Sequence, residues 1–272
     1  MLKLKLTKAN YHSNEANFEY MSRGQYKSFL DCEAKEIAKL SGVWVDEPSI
    51  ALEIGSYTHS WNDGTRREFV ASHPGMFTKA GPLKADYLIA DKMIATLERD
   101  ELAMYCLEGE KEVIITAQMF GATWKVMLDA QNNERRRIVD LKTTRSITEH
   151  VWVVAENELG NKVNKKVSFV EAYQYPLQMT IYTEIERLAM GRDEGDWSKF
   201  LIVAVSKEKF PDKAVINMTD PERLVKELAQ VEANMPRILA VKAGEVDPIF
   251  CGQCDYCKSV KQLTGAIHYS EL

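Results

Sequence analysis

Between Lys199 and Ser206 the chain reads Phe200-Leu201-Ile202-Val203-Ala204-Val205, apolar throughout with no polar interruption. A run this short reads as a strand. It does not alternate, so it has no face to offer to water and must be covered on both sides. The segments around it supply that cover. Glu171 to about Met190 is an amphipathic helix whose stripe is Leu177, Ile181, Ile185 and Leu188. Lys213 to Met218 is a strand able to pair with the apolar run. Thr219-Asp220-Pro221-Glu222 then starts a helix, with proline in its first turn, that extends to about Val241 and stops near Gly244. The order strands, helix, buried strand, helix predicts an α/β fold with a mixed central sheet flanked by helices.

A second strand candidate carries chemistry. In Ile138-Val139-Asp140-Leu141-Lys142-Thr143-Thr144, alternation puts Ile138, Asp140 and Lys142 on one face and turns Val139 and Leu141 into a core. A carboxylate beside a lysine suits metal-dependent phosphodiester hydrolysis: the acid holds a cation, and the ammonium steadies a water or developing negative charge. The same tripeptide also serves as a plain ion pair at a strand end. Its surroundings favour the chemistry. Glu112 to Met119 and Thr123 to Ala130 flank Phe120-Gly121-Ala122, a hairpin by spacing, and Arg136 to Thr143 is the third strand. An antiparallel meander would bring Glu112, Asp129, Asp140 and Lys142 to one edge. Carboxylates packed together repel, and a bound cation is the usual reason to keep them.

The remaining segments add candidates. Residues 1–20 read as a strand and a polar turn. Ser22 caps a helix that runs to about Leu40 with Cys32 inside it. A helix from Pro48-Ser49 to about Trp61 puts Gly55 and His59 on one face, the glycine permitting close backbone approach and the histidine within reach of a metal held elsewhere. An interfacial histidine fits that position equally. Residues 62–82 read as loop, and Leu83 to about Leu107 as helical, with Cys106 in the core. Glu156 to Lys166 reads as a loop exposing Lys162, Lys165 and Lys166. Gln178 and Tyr182 fall four apart beside the stripe of their helix.

Of five cysteines, three form Cys251-x-x-Cys254-x-x-Cys257, a tight ligand loop. Structural metals want four ligands, and Cys32 is the candidate fourth, which would clasp the tail to the N-terminal helix. Zinc and an iron–sulfur cluster both fit four thiolates. No apolar run approaches the roughly 20 residues that span a bilayer, and the N-terminus has no signal-peptide pattern. The expectation is one cytoplasmic domain over residues 1–272. The net charge of −5 means that any contact with nucleic acid must come from a local basic patch.

Taken in order, these pieces resemble the PD-(D/E)XK nuclease superfamily. Within it they are most similar to phage and prophage exonucleases like the C-terminal domain of exodeoxyribonuclease VIII (RecE). The resemblance rests on the Ser22–Cys32 helix, Gly55-x-x-x-His59, Glu112, Asp129, Asp140-Leu141-Lys142-Thr143-Thr144, Gln178-x-x-x-Tyr182 and the cysteine tail, across residues 22 to 257. The histidine, the Gln-x-x-x-Tyr pair and the split cysteines also resemble the nuclease domains of AddB and RecB and the CRISPR-adaptation exonucleases. The resemblance implies a restriction-endonuclease-like core and a DNA exonuclease working from ends of linear duplex in phage-type recombination. Its alternatives are a single-strand nuclease of the AddB or CRISPR-adaptation kind, and a non-catalytic DNA-binding module. It implies that His59, Asp129 and Asp140 hold magnesium or manganese and that Lys142 positions the attacking water. Glu112 would assist, with Glu110 a close competitor, and Gln178 and Tyr182 would face the DNA strand and the site. Cys32, Cys251, Cys254 and Cys257 match a [4Fe-4S] clasp, though the short gap before Cys257 keeps structural zinc open. The implied partners are DNA, a RecT-like single-strand annealing protein and further copies of the chain.

Overall fold

The computed structural model describes residues 4–47, 49–156, 161–263, 265, 266, 268 and 270. Its first helices are α1 (Asn14–Glu19), α2 (Arg23–Asp31), α3 (Glu33–Leu40), α4 (Ile50–Asn62), α5 (Arg66–Ser72), α6 (Ala85–Glu98) and α7 (Glu101–Leu107). Strands β1 (Val113–Met119), β2 (Ala122–Leu128), β3 (Ala130–Asn132), β4 (Arg137–Thr144), β5 (Val151–Glu156) and β6 (Lys162–Val167) follow. The chain closes with α8 (Phe169–Ala172), α9 (Tyr175–Ala189), β7 (Lys199–Ser206), β8 (Lys213–Asn217), α10 (Pro221–Lys242) and α11 (Asp255–Ser259). Two compact units divide it. The larger is Glu47–Met119 with Trp124–Val231, and the smaller is Met1–Asp46 with Phe120–Thr123 and Glu232–Leu272. No helix among the described residues is long and apolar enough to cross a membrane.

In the larger unit the predicted mixed sheet is present, in the order β3-β4-β7-β8. The central pair β4 and β7 is parallel, from Arg137 opposite Lys199 to Thr144 opposite Ser206, and the outer strands are antiparallel to it. The apolar run takes the interior position that its composition demands, with Phe200 and Ile202 to Val205 buried. Tyr57 from α4, Met93 and Leu97 from α6 and Leu107 from α7 share one core with Val139, Leu141, Val203 and Val205, and Cys106 sits in it as expected. Leu177, Ile181 and Ile185 of α9 are buried too, and α9 packs on β1 and β7.

The smaller unit gathers α1 to α3 with the C-terminal half of α10 and α11. Lys242 Nζ donates to Asn17 O and Gln25 Oε1, each at 2.8 Å, and Asn234 Nδ2 donates to the Tyr26 hydroxyl at 2.8 Å. Ser22 Oγ accepts from Gln25 N at 3.2 Å, the cap that the sequence predicts.

Several expectations are corrected. Residues 4–20 hold turns and α1 but no strand; residues 1–3 lie outside the described set. The helix expected from Ser22 to Leu40 is broken at Cys32, which is extended (φ −169°) and caps α3 by accepting Lys35 N at 3.4 Å. A sulfur that serves as a cap has left the helix surface, so Cys32 is not a mid-helix residue. The loop expected over 62–82 contains α5 and a 3₁₀ turn at Pro74–Met76. The helical stretch 83–107 is two helices, divided where Asp100 Oδ1 accepts Ala103 N at 2.9 Å. Residues 162–166 are a strand paired with β5 rather than a loop, while 157–160 of that expectation lie outside the described residues. The helix expected from Glu171 restarts at Tyr175, because Gln174 is left-handed (φ 55°) and Pro176 stands in the first turn. The three-strand meander is also divided. Phe120 and Gly121 (φ 50° and 80°) turn β1 into β2 as a two-residue hairpin, but that pair is its own sheet and the chain joins the central sheet only after Asp129.

The close backbone approach expected at Gly55 lies elsewhere. A Cβ on Gly55 would meet only Thr143 Oγ1 at an ordinary 3.7 Å, whereas one on Gly109 (φ 137°) would lie 2.2 Å from Gln131 O. Gly109→Ala should therefore lower stability by about 2 kcal/mol or more, and Gly55→Ala, inside a helix, should be neutral or stabilising by about 0.5–1 kcal/mol. Urea unfolding midpoints measure both; equal midpoints for the two variants would contradict this geometry.

Candidate active site and thiol centre

Asp129 precedes the first paired residue of β3. Ala130 stands opposite Val139, so continuing the register sets Asp129 opposite Asp140. Asp129 Oδ2 accepts the Leu141 backbone N–H at 2.7 Å, so a carboxylate takes over where the strand ladder ends. Its Oδ1 faces His59 Nδ1 of α4 at 3.3 Å. Across the strand, Asp140 Oδ1 accepts Gln178 Nε2 of α9 at 2.7 Å. Lys142 Nζ stands 2.7 Å from Asp140 Oδ2.

The two acids titrate in opposite directions. Desolvation lifts the Asp140 carboxyl above its ordinary value, against the pull of Lys142 and with the Asp129 charge adding to the rise. Desolvation acts on Asp129 as well, but the charge and hydrogen bond of His59, the charge of Lys142 and the Leu141 N–H hold it below the ordinary range. Burial works against a charged His59, and the Asp129 carboxylate outweighs it and raises the imidazole. Burial also opposes the Lys142 ammonium, which Asp140 and Asp129 keep above its usual value.

Of the other expected residues, Gln178 is buried at the site through Asp140. Tyr182, one turn further along α9, meets Phe200 edge-on with ring centroids 6.3 Å apart. Glu112 lies in the turn before β1 with φ 48°. Glu110 pairs its backbone with Gln131 in both directions, each bond 2.9 Å. Three residues that the sequence reading passed over also stand here. The Tyr175 ring lies 5.2 Å from Lys142 Nζ. Asn62 Nδ2 donates to Asp129 O at 3.0 Å, and Lys111 Nζ donates to Asn62 Oδ1 at 2.8 Å. Two of them left a signal: Asn62 falls three residues after His59 on the same helical face, and Pro176 marks the helix start that aims Tyr175.

The smaller unit holds the second candidate centre. The sulfurs of Cys32, Cys251, Cys254 and Cys257 all lie within 4.8 Å of one another. Cys257 Sγ is 3.6 Å from Cys32 Sγ and 3.8 Å from Cys251 Sγ. The tail is seated by backbone and charge. Ala34 N donates to Ile249 O at 3.2 Å, Ile249 N to Glu33 Oε2 at 2.8 Å, and Arg237 grips both Glu33 oxygens at 2.7 and 2.8 Å. Backbone N–H groups of Gln253 and Cys254 pull the Cys251 thiol down to about 6, while burial pushes Cys257 up to about 12. Among the described residues His59, Asp129 and Asp140 form no such closed group.

Residues 22–260 match the family described as a PDDEXK-like domain of unknown function (DUF3799). The chain belongs to this PDDEXK-like family. Among solved structures it is similar to a protein from Eubacterium rectale described as a putative exonuclease, at 39% identity over 98% of each chain with a TM-score of 0.88. The solved structure of SSO0001 covers 86% of this chain at 17% identity with a TM-score of 0.27 and carries no argument. No curated protein matches the chain.

A PDDEXK-like site calls for a divalent cation, and these residues fit one. Asp140 is a buried carboxylate whose Oδ2 meets the Lys142 ammonium, set opposite a second acid with an imidazole beside it. Oxygen-rich sites with one or two carboxylates suit magnesium or manganese. Four thiols this close likewise fit a thiophilic metal, since four thiolates repel unless a cation lies among them. Magnesium should therefore raise the melting temperature of the protein, by about 1.4 kcal/mol of stabilisation at ten times Kd. Asp140→Asn should remove most of that rise. A variant stabilised by magnesium as strongly as the parent would take Asp140 out of the ligand set.

Proposed function

We propose that this chain is a divalent-cation-dependent deoxyribonuclease that removes nucleotides from the ends of linear duplex DNA, serving phage-type recombination. One observation carries the reading: Asp129 and Asp140 occupy opposed positions with Lys142 two residues along the same strand, in a chain of the PDDEXK-like family. The Eubacterium rectale relative, described as a putative exonuclease, supports the end-dependent mode. In this reading both units make one nuclease domain, working in the cytoplasm.

His59, Asp129 and Asp140 would hold magnesium or manganese. When bound, such a cation supplies positive charge at the scissile phosphate and makes a neighbouring water more acidic. The chain's own groups do the rest. Gln178 ties down one oxygen of Asp140 and leaves the other to Lys142. Lys142, kept protonated by the two acids, orients the attacking water and offsets charge developing on the phosphate. Tyr175 walls one side of that ammonium. Glu112 assists at the site and Tyr182 faces the strand. DNA is the partner; a RecT-like annealing protein would receive the strand that digestion exposes, and further copies of the chain around the duplex would give processivity. The four-cysteine group favours a second reading, an AddB-like or CRISPR-adaptation-type nuclease acting on single strands.

End-labelled linear duplex, one of its strands alone and a closed circle of the same sequence, each incubated with magnesium, separate these readings. The wild type should degrade the linear form alone, and Asp140→Ala and Lys142→Ala should lose at least 100-fold in rate, a loss on the scale of removing one transition-state stabiliser. Cleavage of single strands only would favour the second reading. A wild type that binds DNA but cuts no form of it would make the chain a DNA-binding module.

At the thiols, the resemblance supports a [4Fe-4S] cluster and the spacing supports zinc. Four thiolates about 2.3 Å from one tetrahedral zinc stand about 3.8 Å apart, close to the separations of 3.6 and 3.8 Å here. Thiolates on a cluster bind four different irons and stand wider. Cys254→Ser should lower the melting temperature and release the bound metal. Metal analysis with the visible spectrum identifies it, since a broad brown absorption means iron–sulfur and a colourless metal-loaded protein means zinc. A variant as stable and as metal-loaded as the parent would rule the clasp out.

A further inference from the structure

The ribbon β5–β6 stands apart from the central sheet as a two-stranded sheet of its own. Its register pairs Trp152 with Lys166, Val154 with Asn164 and Glu156 with Lys162. Paired residues point the same way, so Trp152, Val154, Lys162, Asn164 and Lys166 share one face. That face is open: Trp152 is 65% exposed and Val154 67%, and all three partners on β6 are exposed. The other face carries Val151, Val153, Ala155, Val163, Lys165 and Val167, and is the more apolar and more covered side. An indole left in water is unusual, and here Lys166 Nζ lies 5.2 Å from its ring centroid. The ribbon leads directly toward the candidate active site. Its strand β6 runs into α8, which packs on both ribbon strands. Beyond α8 lies Tyr173, 48% exposed, with its ring 6.0 Å from that of Tyr175, the residue beside Lys142.

We propose that the open face of the β5–β6 ribbon, with Tyr173, is a track for single-stranded nucleic acid, on which Trp152 and Tyr173 stack bases and Lys162 and Lys166 hold phosphates. The inference rests on the nuclease reading for its substrate class and extends it by naming the surface that guides the strand to the site. Charge and chemistry select the occupant. The protein as a whole is acidic, with a net charge of −5, so an exposed lysine pair is a local positive patch in a repelling field. Alternation of open rings with ammonium groups matches a single strand, whose bases are unstacked and whose phosphates recur at short intervals. A paired duplex offers no free base to either ring.

The test is fluorescence anisotropy of a labelled oligothymidylate and of a duplex of equal length, without divalent cation, across a salt series. Trp152→Ala and Tyr173→Ala should each weaken binding of the single strand by about fivefold or more and affect the duplex little. Lys162→Ala combined with Lys166→Ala should weaken it too and lower the slope of log affinity against log salt by about 1.4, the share of two phosphate contacts. Binding of the single strand within twofold of wild type by all these variants would overturn the proposal, as would equal losses on single strand and duplex. Cleavage by the wild type, measured with magnesium on the same oligonucleotides, separates the two readings. A protein that cuts no DNA, yet binds single strands through the ribbon, would defeat the nuclease reading and leave the track standing.

Discussion

Asp129 and Asp140 repel, and the elements around them are placed to contain that repulsion. The two acids face one another because β3 and β4 pair in a register that leaves them no other position. Where both carboxylates are largely buried, like charges facing each other cannot both ionise unless opposite charge or hydrogen-bond donors intervene. Each acid has its own set. The Leu141 N–H and His59 steady Asp129; Gln178 and Lys142 steady Asp140. Those groups come from strand β4 and from helices α4 and α9, so the site exists only when both helices are packed on the sheet. The Asp140 oxygen that Gln178 leaves to Lys142 is where a cation would act.

The sheet makes such a placement rigid. Its parallel pair is buried on both faces, and helices α4, α6 and α7 on one side and α9 on the other are held by apolar contact along its length. His59 and Gln178 are carried on those helices, so the packing that buries Val139, Leu141 and Val203 also aims the polar groups. The break after Leu128 serves the same end. A strand continuing through Asp129 would have spent its backbone on the ladder; leaving the hairpin there lets the carboxylate accept a backbone N–H in place of a carbonyl.

The smaller unit solves a related problem with sulfur. Four thiols converge, and backbone N–H groups of Lys35, Cys254 and Cys257 point at three of them. Those donors favour thiolates, and crowding disfavours four of them together, which is the electrostatic condition for a metal. Breaking the helix at Cys32 is part of that solution, because an extended residue can turn its sulfur toward the tail and still cap the helix that follows. The Arg237–Glu33 pair and the Ile249 contacts then seat the tail without help from the sulfurs.

Much of this was legible in the sequence. The unbroken apolar run determined a strand covered on both faces, and with it the α/β class. Alternation placed Asp140 with Lys142, the interval between Asp129 and Asp140 fitted an antiparallel return, and the cysteine gaps announced a ligand loop. Each of these signals is local or nearly so, because backbone periodicity and short loop closure set it. Tertiary structure alone decided the breaks at Cys32, Asp129 and Gln174, where a side chain or a left-handed residue overrides a periodic pattern to satisfy a partner far along the chain. It also decided that Asn62, Lys111 and Tyr175 join the site and that residues 162–166 form a ribbon rather than a loop. Those outcomes depend on which helix packs against which strand, and a pattern of periods of 2 and 3.6 residues carries no record of that choice.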